Sequence, residues 1–129
     1  KVCIDATGDA DVAHRAGART TFGRAYDNCP EAMGSFFHLA GYELLDEERA
    51  GELRELIEHE MEDGRFRFYN PNFLNQNTHH TDHSSPNMVR YGGDSTSADD
   101  MTRAELSIRR DVWELVRYLQ ASVPGFENC

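Results

Sequence analysis

The apolar residues of this chain change their spacing along its length, and the order of those changes leaves few architectures open. Val2, Cys3 and Ile4 form a short apolar run, and Thr7-Gly8-Asp9 breaks it. Such a run predicts a buried strand, with Cys3 packed inside it. Asp9 or Asp11 then caps a short helix through His14 to Ala16, and Gly17 is a natural stop. Strand, tight turn and helix in that order make a fragment of an α/β unit.

The spacing then changes. Residues 20–30 carry no clear period and read as loop or edge strand. Residues 34–42 alternate, with Phe36, His38 and Ala40 on one side and Phe37 and Leu39 on the other, the signature of a strand. Asp46 opens a helix whose apolar face is Ala50, Leu53, Ile57 and Met61, closed by Gly64. Arg65 to Tyr69 alternate basic and aromatic, as a half-buried strand does, with the arginines outward or paired with the acidic helix. Residues 70–86 are polar and predict a long loop, and residues 87–92 a further strand. Ser97 with Asp100, or Thr102 with Glu105, resembles a capping box. The long helix behind it runs to about Ser122, turning Met101, Ile108, Val112, Leu115, Val116 and Leu119 inward. Trp113 is expected in the core beside them. No internal repeat is visible. The whole predicts an α+β fold: a partial α/β unit followed by an antiparallel sheet with helices on one side.

Composition narrows the function classes. The chain has 129 residues and a formal net charge of -10, which repels phosphate backbones and excludes a general nucleic-acid binder. Most of the acids between Glu43 and Asp63 read as a solvated helix face. No apolar run approaches the ~20 residues of a membrane span, and no signal-peptide pattern is present. Cys3, Cys29 and Cys129 are odd in number and far apart, which suits a reducing, cytoplasmic setting and no disulfide framework. The chain begins at Lys1 on a strand-like run and stops at Cys129 just past Pro124-Gly125. Natural domains tend to end in exposed linkers, so an internal piece of a longer protein is expected.

Three stretches carry candidate chemistry. In Asp5-Ala6-Thr7-Gly8-Asp9, a turn of small residues between strand and helix lets a ligand approach the main chain, because Gly8 has no Cβ. Asp9 disfavours a bare phosphate but can accept from ribose or ribityl hydroxyls; the plain alternative is a strand–helix turn with an Asp cap. His79-His80-Thr81-Asp82-His83 offers imidazoles and a carboxylate to a metal, although the spacing matches no standard ligand set. A solvated loop, or a lid whose histidines orient substrate or shuttle a proton, is the competing reading and no metal is assigned. Arg67 and Arg90, interleaved with aromatics, are candidates for holding an anionic substrate group. Ordinary sheet alternation explains the same pattern.

The run VCIDATGDADVAHRAGA resembles the ATG-containing strand and turn of FAD-dependent oxidoreductases of the two-dinucleotide-binding-domain type, and is especially similar to a bacterial family of such proteins. DMTRAELSIRRDVWELVRYLQASVPGFEN resembles the same family near the other end of the chain. The resemblance implies flavin contacts at Ala6, Thr7, Gly8 and Asp9. It also implies that residues 1–28 are the tail of an FAD-binding domain and residues 29–129 an inserted domain over the substrate side. No G-x-G-x-x-G is present, so this stretch alone is expected to bind no FAD. The rival reading is a non-enzymatic interaction module, using its amphipathic helices or a metal in the histidine-rich loop.

Overall fold

The computed structural model describes residues 2–43, 45–72 and 83–129. Helix α1 spans Asp11–Arg15, α2 Glu47–Glu62 and α3 Ala98–Ser122; the strands are β1 Met33–Ser35, β2 Leu39–Ala40, β3 His83–Ser84 and β4 Val89–Tyr91. Pairs of strands alternate with the helices along the chain, and both described ladders are antiparallel, an α+β arrangement.

The two long helices begin where their caps place them. The Asp46 side chain accepts from the Arg49 amide at 2.9 Å, and the Ser97 hydroxyl accepts from the Asp100 amide at 3.3 Å. Ser97, not Thr102, therefore starts α3. Gly64 ends α2 with φ 78, a left-handed conformation that glycine adopts at no steric cost. Leu53 and Ile57 of α2 are buried, with Ala50 and Met61 half-buried on the same face.

The strand expected over 34–42 is broken in two. β1 pairs with β4 (Gly34 opposite Arg90, Ser35 opposite Val89), and β2 pairs with β3 (Leu39 opposite Ser84, Ala40 opposite His83). Both ladders lie on the same two chain segments. Between them residues 36–38 face residues 85–88, one residue more on the second segment, so the ribbon slips register as at a bulge. Pro86 sits in that extra length and has no N–H to give a ladder. The alternation still holds: Phe37 and Leu39 turn inward, Phe36 and His38 outward.

Residues 65–69 form no strand, contrary to expectation, yet Phe66 and Phe68 are buried while Arg65, Arg67 and Tyr69 are exposed. The segment runs beside β4's approach, where the Tyr69 amide donates to the Met88 carbonyl (2.7 Å) and the Asn70 side chain donates to the Asn87 carbonyl (3.1 Å). One such main-chain bond fixes the alternation without building a ladder.

Helix α3 lies on the β1–β4 ladder. Its Ile108, Leu115 and Leu119 join Leu53, Ile57, Phe66, Met88 and Phe126 in one core. The rings of Phe66 and Tyr118 meet edge to face at 5.3 Å. After α3 the chain turns at Pro124-Gly125 and is clamped: Arg49 donates to the Pro124 carbonyl (2.8 Å), and the Glu43 amide donates to the Gly125 carbonyl (2.9 Å). Phe126 stacks on Tyr42 with centroids 4.9 Å apart. Among the described residues no helix is long and apolar enough to cross a membrane.

Two expectations for α3 fail. Trp113 is 61% exposed and Met101 54%. At ~100° per residue Trp113 stands about 140° around the axis from Ile108, off the buried face. Met101 has the right angle but sits in the first helical turn, ahead of the first buried position, Ala104.

Candidate functional site

The residues before α1 form no strand. Val2 is 92% exposed and Ile4 86%, and Cys3 is exposed as well, so the buried packing expected of this run is absent. A strand needs a neighbour to satisfy its amides and carbonyls, and no described segment pairs with residues 2–6.

What orders this stretch instead is Asp5. One carboxylate oxygen accepts from the Thr7 amide (2.9 Å) and the Thr7 hydroxyl (2.7 Å); the other accepts from the Ala13 amide (2.7 Å) inside α1. The Thr7 hydroxyl in turn accepts from the Asp11 amide at 2.9 Å. The helix is thus tied down by Asp5 and Thr7, and neither Asp9 nor Asp11 caps it as expected. The residue at the cap position is Ala10, with φ 60 and no side-chain bond. These bonds to the charged form, first that from the Thr7 hydroxyl and then that from the Ala13 amide, hold the Asp5 carboxyl below the usual carboxylate range. The same device recurs in Asp94-Ser95-Thr96, where Asp94 accepts from the Thr96 amide (2.8 Å) and hydroxyl (2.6 Å). The shared D-x-T pattern was the available signal for Asp5.

The turn is open on its outer side. Gly8 has φ 89, and a Cβ built there would meet nothing within 4 Å. Ala6, Thr7, Gly8 and Asp9 are all exposed. The amides of Gly8, Asp9 and Ala10 have no hydrogen-bond partner among the described residues. Asp9 lines a cleft of about 570 Å³ walled by Phe22, Arg24, Cys29, Met33 and the second D-x-T turn at Ser95 and Thr96. For a group as long as a flavin dinucleotide, the turn offers bare main chain and an unobstructed approach. The Thr7 hydroxyl is already engaged on both sides, and Asp9 adds a carboxylate that suits hydroxyl groups and not phosphate. The residues fit such a group through backbone and hydroxyl contacts.

The other predicted residues fall in different places. His79 and His80 lie outside the described residues. His83 is half-buried in β3, opposite Ala40. Among the described residues no group of three His, Cys, Asp or Glu side chains is placed to hold a metal ion, so the metal-binding reading gains no support. Arg90 lies over the Tyr69 ring, 3.5 Å from its centroid, and faces Glu31 at 3.5 Å. Arg67 has neither of these neighbours; it lines a cleft of about 300 Å³ with Arg65 and Arg110. Arg65 pairs with Glu60 of the acidic helix at 2.9 Å, the pairing that the alternation anticipated.

A third cleft, about 470 Å³, runs between β1 and α3, with Phe36 and Trp113 on its rim and Ile108 and Val112 in its floor. Sequence reading missed it because it placed Trp113 in the core; the angle of residue 113 on the helix was the overlooked signal.

Comparison with known proteins adds one finding. The family model described as FAD dependent oxidoreductase matches residues 1–129. No curated protein and no solved structure matches the chain.

Proposed function

The chain belongs to the FAD-dependent oxidoreductase family, and from that premise we propose that residues 1–28 contribute to the flavin side of the full-length enzyme and residues 29–129 cover its substrate side. FAD is the cofactor of the full-length protein, and a small molecule is its substrate. When bound, the flavin supplies hydride or electron transfer, and the protein supplies position and electrostatics.

The open turn at Gly8 carries this reading. Asp5 and Thr7 hold the turn in shape, so Gly8 presents main chain where a Cβ would otherwise stand. We assign Ala6, Thr7 and Gly8 as main-chain contacts of the flavin, and Asp9 as an acceptor for its ribityl or ribose hydroxyls. On the substrate side, Arg67 and Arg90 are assigned to an anionic group, with His79, His80 and His83 orienting the substrate or moving a proton near pH 7. The free thiols of Cys3, Cys29 and Cys129 support a reducing compartment such as the cytoplasm.

The test is Gly8→Val in the full-length flavoprotein. A branched side chain at φ 89 both strains the backbone and fills the approach. Flavin affinity, read from the visible flavin absorbance retained on dilution, is expected to fall by about tenfold or more, which corresponds to ~1.4 kcal/mol of lost contact. Unchanged affinity in a folded variant refutes the assignment.

A further inference from the structure

We propose that the cleft between residues 64–68 and α3 is an oxyanion site, taking a carboxylate or phosphate group between Arg65, Arg67 and Arg110. Three of the chain's 13 Lys and Arg residues line this one cleft, together with Asp111 and Glu114, in a protein whose formal charge is -10. Elsewhere such a surface repels anions; here it gathers cations from two elements distant in sequence. Arg67 has no acidic partner among the described residues. Arg65 and Arg110 do have partners, Glu60 at 2.9 Å and Asp111 at 3.1 Å, and Glu114 stands 4.0 Å from Arg110. The arginines of those pairs reach the surface, Arg65 57% and Arg110 62% exposed, while Glu60 and Asp111 are 19% and 18% exposed, and each guanidinium keeps N–H groups to spare. The last carbonyls of α2, which would push an anion away, are already taken: Glu60 and Met61 carbonyls accept from the amides of Arg65, Phe66 and Gly64. The planar forks of the arginines suit the two oxygens of a carboxylate or phosphate. The buried rings of Phe66 and Phe68 fix the backbone on which Arg65 and Arg67 alternate outward.

The site stands on this geometry whether or not flavin binds; only the further step, that the anion belongs to the enzyme's substrate, rests on the flavin reading. Calorimetric titration of the full chain with inorganic phosphate and, separately, with malonate tests the site without flavin. Saturable binding of at least one probe is expected near millimolar concentration, weakened by added chloride. Arg67→Ala and Arg110→Ala should each weaken it by about fivefold or more, and Arg67→Lys should weaken it less than Arg67→Ala. Arg103→Ala and Arg109→Ala, outside the cleft, should leave it unchanged. Arg67 makes no bond that the fold uses, so its variants keep the test valid should Arg110→Ala unfold. No saturable binding of either probe below ~100 mM, or loss that is equal in the Arg67 and Arg109 variants, overturns the proposal. A preference for phosphate over malonate, or the reverse, tells which oxyanion the site takes.

Discussion

The hydroxyl of Tyr118 donates to a carboxylate oxygen of Glu60 at 3.1 Å, joining α3 to the end of α2 across 58 residues of sequence. Arg65 holds the other oxygen of the same carboxylate and lies over the Tyr118 ring, 5.0 Å from its centroid. Burial, and then the bond to Glu60, push the Tyr118 phenol above its ordinary pKa, while the bond from Arg65 draws Glu60 below its own. Tyr118→Phe keeps the packing and removes the donor, so it should cost about 1 kcal/mol. Urea unfolding at neutral pH measures this, and the difference between the two proteins should shrink above about pH 10. A group with a raised folded pKa stabilises fully below its unfolded value, and that stabilisation is lost as the pH rises through the folded one.

Asp5 gives the opposite pH signature. Its folded pKa lies below the unfolded value, so its stabilisation is present above about pH 4 and disappears as the pH falls through the folded pKa. The protection factor of the Ala13 amide, which bonds to Asp5, should therefore decline on acidification below that point. In Asp5→Asn, hydrogen exchange at Ala13 should already be faster at neutral pH and should show no such step.

Ile57 is fully buried on the face of α2 that meets α3 and Phe126. Ile57→Ala removes three carbon atoms from a closed core and should destabilise by about 2–5 kcal/mol. Thermal unfolding with the two-state criterion checked by two probes measures it.

Trp113 is the single tryptophan of the chain. Its fluorescence should resemble that of an indole in water and be quenched readily by iodide or acrylamide, which a core tryptophan would resist. Trp113→Ala should change stability by less than about 1 kcal/mol, since a side chain largely in solvent leaves no cavity.

Gly8→Ala should also be nearly silent in global unfolding, because the turn lies outside the core. Its left-handed backbone nonetheless disfavours a Cβ by roughly 1 kcal/mol. The change should appear as faster exchange of the α1 amides.

Much of this fold is legible one segment at a time. The caps Asp46 and Ser97 and the breaker Gly64 fix the two long helices within a residue or two, because capping and helical period involve neighbours only a turn apart. The inward set Leu53, Ile57, Ile108, Leu115 and Leu119 follows from the same period. Alternation likewise sorts Phe66 and Phe68 inward and Arg65 and Arg67 outward, whether or not a ladder forms. The helix and turn at residues 7–17 are readable too, although the residue that secures them, Asp5, lies one element earlier than a cap is usually sought.

By itself, then, the sequence determined where helices start and stop, which faces are apolar, and which family the two end segments resemble. Tertiary structure alone decided the rest. It split one expected strand at the slip opposite Pro86, left Val2 and Ile4 in solvent, turned Trp113 outward, and brought Arg67 to the same cleft as Arg110. The physical reason is range. Period and capping are settled by contacts a few residues apart, whereas register, exposure and the company a charge keeps depend on segments far apart in sequence that meet only when the chain has folded.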